Sequence, residues 1–65
     1  MSMSFELQKY CARFCVEKNL TEDDAVDLFE CITGTLQWDY YNDRERDEDF
    51  NSVRKLYGEY AAKRQ

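Results

Sequence analysis

Residues 21–32 read Thr-Glu-Asp-Asp-Ala-Val-Asp-Leu-Phe-Glu-Cys-Ile, and their order decides the fold class. Thr21 is an N-cap type, because its hydroxyl can accept an orphan amide at a helix start. Three carboxylates follow it, opposing the positive end of the helix dipole. Asp24 at the third helical position makes a shortened capping box with Thr21, and Leu20 and Ala25 permit a weak hydrophobic staple. Ala25, Leu28, Phe29, Ile32 and Leu36 then recur three and four apart, which is the helical period. Gly34 interrupts this pattern at a cost of about 1 kcal/mol against alanine. Ile32, Leu36 and Tyr40 keep the register, so the helix is expected to pass through Gly34 towards Asn42, with a bend there. A left-handed stop at Gly34 is the alternative.

On the N-terminal side, Leu7, Tyr10, Cys11, Phe14 and Lys18 form a second helical stripe, widened by Phe5 and Cys15. A helix from Ser4, as cap, to Lys18 is predicted, with Glu6, Gln8, Arg13 and Glu17 on its other side. Asn19 suits the left-handed conformation that ends helices. The joint Asn19-Leu20-Thr21 is short and forces these two helices into a hairpin or steep corner. On the C-terminal side, Asn42–Asp49 has no apolar residue and reads as a solvated connection or a frayed helical end. Phe50, Val53, Leu56, Tyr57, Tyr60 and Ala61 define a third helix, with Asp47 or Asp49 as its cap. Gly58 lies off that stripe and weakens the helix, and Lys63 and Arg64 suit its negative end. The expectation is one all-α domain over residues 1–65, a hairpin of the first two helices covered by the third.

Composition narrows the class further. The chain has 65 residues, a net charge of −5, ten aromatic residues, no proline and two glycines. A chain this short buries only about 60% of its unfolded surface, so some aromatic area is expected at an interface. A helical homodimer is the simplest cover. No stretch approaches the roughly 20 apolar residues of a membrane span, and the start lacks the basic and apolar regions of a signal peptide. A cytoplasmic protein is therefore expected. Three cysteines without histidine argue for reduced thiols in the core rather than a disulfide framework or a zinc site. The run Asp43-Arg44-Glu45-Arg46-Asp47-Glu48-Asp49 lacks the glycine and terminal glutamate of a calcium loop. No nucleophile–base pair or Gly-rich phosphate loop is present. Neither catalysis nor a cofactor is expected.

What remains is contact chemistry. Between Glu17 and Glu30 stand six carboxylates against Lys18 alone, so Asp23, Asp24 and Asp27 are candidate contacts for a basic protein partner. Trp38, Tyr40 and Tyr41 cluster where they cannot all face one core, and such residues dominate interface hot spots. The alternative is a small DNA-binding regulator using Arg54, Lys55, Lys63 and Arg64 of the third helix. The acidic start of the second helix opposes DNA docking there, and a net negative chain disfavours phosphate binding in general.

Met1-Ser2 duplicates Met3-Ser4, so the natural start is read as Met3, with the first two residues an addition outside the folded part. A 63-residue acidic, histidine-free helical chain beginning Met3-Ser4-Phe5-Glu6-Leu7 resembles the small early proteins encoded between the exonuclease and excisionase genes of lambdoid bacteriophages. That resemblance covers the whole chain and assigns no functional residue. It implies a partner among host or regulatory proteins that govern the choice between lysis and lysogeny.

Overall fold

Asn19 sets the corner of the fold. Its φ is 61°, the left-handed conformation expected of it. The Asn19 amide donates to the Val16 carbonyl at 3.2 Å, and the Leu20 amide donates to the Cys15 carbonyl at 2.8 Å. This pair of bonds is a Schellman motif, which satisfies the last carbonyls of the preceding helix. Two residues later the chain turns into the next helix. There the Thr21 amide donates to Asp24 Oδ2 at 3.0 Å, and the Asp24 amide donates to Thr21 Oγ1 at 3.1 Å. The short carboxylate thus completes the capping box. Thr21→Ala is expected to cost about 1 kcal/mol, measured as a lower midpoint in thermal or urea denaturation.

The computed structural model describes residues 3–37 and 43–64. Within them the order is α1 (Met3–Glu17), α2 (Glu22–Gln37) and α3 (Asp43–Arg64), with no strand. Each helix packs against both others, the all-α three-helix arrangement expected. α2 runs through Gly34 without a break; its expected extension to Asn42 falls outside the described residues. A Cβ at Gly34 would meet nothing within 4 Å. Gly34→Ala is therefore expected to stabilise the protein by about 1 kcal/mol, raising the melting temperature by about 4–8 °C.

Three sequence expectations need correction. α1 begins at Met3, so Ser4 lies inside it rather than capping it. α3 begins at Asp43, so of the two readings of the charged run, a connection or a helical end, the helical one holds from Asp43 onward and the run forms the first turns of α3. Arg44 and Glu48 pair at 3.5 Å across one of those turns, the i,i+4 support that lets a polar segment stay helical. Asp47 and Asp49 are accordingly inside the helix and do not cap it. Gln8, assigned to the solvent side, is only 4% exposed. Its amide Nε2 donates to Asp49 Oδ1 at 3.1 Å, a cross-link between α1 and α3.

The core is narrow. Cys11 and Cys15 of α1 meet Ala25, Val26 and Phe29 of α2 and Val53 of α3, and Ala12 and Val16 of α1 are buried as well. Leu7, Phe14, Leu28, Ile32, Phe50 and Tyr57 surround it half-buried. The small side chains on α1 let two helices approach it from two sides, which displaces the large aromatics to the edges of its buried arc. α3 completes the core with Phe50, whose ring meets Phe29 edge-on at 6.4 Å and 87°, a favourable aromatic geometry.

Candidate interaction surface

α3 fixes which surfaces stay open. It lies along the Gln8, Arg13 and Val16 side of α1. The Arg13 guanidinium sits 5.3 Å from the Tyr60 ring centre, and Arg64 donates to the Val16 carbonyl at the end of α1. Tyr57 Oη donates to the Leu20 carbonyl at 2.6 Å, closing the same corner. On α2, Arg54 reaches Asp23 at 2.8 Å and Glu22 at 3.6 Å. The Asp23 hydrogen bond, partly opposed by desolvation, holds the Arg54 pKa above its ordinary value. Both partners are exposed, so this pair contributes little stability. Its consequence is for recognition, because it neutralises part of the acidic start of α2.

The sequence candidates separate accordingly. Asp23 is engaged by Arg54, and Asp24 is used in the capping box, although both remain exposed. Asp27 is exposed with no ion pair among the described residues. Trp38, Tyr40 and Tyr41 lie outside the described residues. Of the basic set, Arg54 and Arg64 are committed to internal contacts, while Lys55 and Lys63 are exposed. The structure therefore does not bring those four together as one cationic surface. Cys11 and Cys15 are buried as expected, but Cys31 is exposed rather than in the core. No group of three or more His, Cys, Asp or Glu among the described residues is placed to hold a metal ion.

The structure adds a surface that residue type alone did not reveal. Tyr10 is 56% exposed and Phe5 is 44% exposed, although both belong to the apolar stripe of α1. Tyr10 stacks on half-buried Phe14 with ring centres 5.9 Å apart. Lys18 lies 6.0 Å from the Phe14 ring centre, and Lys9 lies 5.0 Å from that of Phe5. The available signal was angular. Leu7, Tyr10, Phe14 and Lys18 form one ridge at spacings of three and four. Gln8, Cys11, Ala12, Cys15 and Val16 form another, and that second ridge is the buried one.

The first ridge is turned away from α3, about half a turn around α1 from Val16. On α2, Asp24, Leu28 and Cys31 share a stripe turned away from Phe29, which meets α3, and Asp27 lies between that stripe and Asp23. Leu7 and Phe14 of the first ridge and Leu28 of the α2 stripe all pack half-buried against the core that α1 and α2 share, which sets the two stripes on either side of that joint. Together they make an apolar strip between α1 and α2, with carboxylates along one border. No helix among the described residues is long and apolar enough to cross a membrane. No family model matches this chain, and no curated protein or solved structure shows significant similarity to it.

Proposed function

We propose that this chain is a non-enzymatic protein-interaction module. The observation that supports it is Tyr10, 56% exposed and stacked on Phe14 along the strip that α3 leaves open. Amphipathic aromatic side chains of this kind give interfaces much of their energy, since they bury large area at low entropic cost. The resemblance to lambdoid phage early proteins extends the proposal to a host or developmental regulatory protein as partner, met in the host cytoplasm. Trp38, Tyr40 and Tyr41 remain candidates for the same role. Duplex DNA binding by α3 has less support, because Arg54 and Arg64 are engaged internally. Affinity capture from a host lysate tests the reading. At least one retained protein is expected to be displaced by excess untagged chain. Retention that untagged chain never displaces would contradict it.

A further inference from the structure

The open strip has an apolar floor and a charge of one sign beside it. Leu7, Phe14 and Leu28 are half-buried and Tyr10 is exposed. Asp24 and Asp27 stand exposed on the α2 side, and Glu17, two turns after Tyr10, stands exposed on the α1 side. Lys18 is the cation on the α1 ridge, and its ammonium lies over the Phe14 ring. Arg54, the cation that α3 sends to α2, goes to Asp23 and Glu22, one turn before Asp27. Asp27 itself has no ion pair among the described residues.

A twofold contact between copies sets the same patch against itself. Here the strip carries Asp24, Asp27 and Glu17 against Lys18 alone, so two copies would meet with like net charge, each chain carrying −5 in all, and like charges at an interface are costly. An apolar strip bordered by acids is instead complementary to a helix with apolar anchors three and four residues apart and basic flanks. Resting on the contact reading above, we infer that the α1–α2 strip of Leu7, Tyr10, Phe14, Leu28, Asp24 and Asp27 docks a basic amphipathic helix of a partner protein.

The test is an NMR titration of the isotope-labelled full chain with an amphipathic leucine–lysine peptide of about five helical turns. A matched leucine–glutamate peptide serves as control. The lysine peptide is expected to shift the amides of Tyr10, Phe14, Asp27 and Leu28 and to leave the solvent side of α3 unmoved. It should bind at least about tenfold more tightly than the glutamate peptide and weaken with salt. Asp27→Lys is expected to weaken it about tenfold, and Tyr10→Ala about thirtyfold. Asp27→Lys changes only an exposed side chain, so it keeps the test informative should Tyr10→Ala perturb the fold. Absence of binding, equal binding of both peptides, or shifts centred on α3 would overturn the inference. Sedimentation showing a dimer that Tyr10→Ala dissolves would also overturn it, assigning the strip to a second copy. That outcome leaves the contact reading intact, whereas failure of competition in the lysate capture removes the contact reading itself.

Discussion

Phe29→Ala is expected to leave the chain largely unfolded at room temperature. Phe29 is fully buried, and it is the largest such side chain among the described residues. Deleting a buried phenyl ring costs about 3–5 kcal/mol, part lost transfer energy and part the cavity left behind. A domain of this length holds roughly 3–10 kcal/mol in total. The other buried members of its cluster are small, among them Cys11, Cys15 and Ala25, so filling the space would require the larger half-buried side chains to move inward. Phe50 would also lose its edge-on partner at 6.4 Å. Thermal circular dichroism is expected to show a melting temperature lowered by roughly 12–40 °C, at about 4–8 °C per kcal/mol. Phe5→Ala removes the same group from a 44% exposed position and should stay within about 1 kcal/mol of the parent. Equal losses for the two variants would mean that the core is misassigned.

The three thiols are expected to separate into one fast and two slow. Cys31 is exposed, while Cys11 and Cys15 are 0% and 1% exposed. Burial, and second the neighbouring Cys15, push the Cys11 thiol up to about 11 from an ordinary 9.0. Thiolates react and thiols do not, so both access and ionisation protect the buried pair. Alkylation of the native chain near pH 8 is expected to modify one cysteine per molecule at least about a hundredfold faster than the other two, which react through opening of the fold. Denaturant should make all three equivalent. The same shift couples stability to pH. Raised folded-state values mean that the folded chain holds its thiol protons more tightly than the unfolded chain. This stabilisation is complete below pH 9.0 and is lost as pH rises towards about 11. Urea midpoints should therefore fall between pH 8 and pH 10.5, and Cys11→Ala should reduce that fall.

Local chemistry was legible in the sequence, and long-range pairing was not. The Thr21–Asp24 box and the left-handed Asn19 involve residues within a few positions of each other, so their types suffice to identify them. Gln8 was misplaced because glutamine alone says surface, and its partner Asp49 is 41 positions away. α3 was begun too late for the same reason. Its inward stripe continues Arg46, Asp49, Phe50, Val53, Tyr57, Tyr60, Ala61 and Arg64 at helical spacing, with polar residues at both ends that hydrophobic periodicity cannot register. The candidate contacts were half legible. Acidity marked the start of α2, yet nothing local showed that Arg54 would meet Asp23 across 31 positions. That pair joins residues from the two rival functional readings. Tyr10 was hidden because a helix with two neighbours has a broad apolar arc, and membership in it does not say which edge stays open.

Phe29 holds the fold, and Tyr10 is expected to serve contact. Competitive capture of a host-lysate partner by folded Tyr10→Ala, beside the parent chain, tests that separation most directly. Tyr10 is more than half exposed, so the variant is expected to keep its helical spectrum and cooperative melt while partner capture falls to background. Undiminished capture by a folded Tyr10→Ala chain would contradict the claim that the open α1–α2 strip is where this protein works.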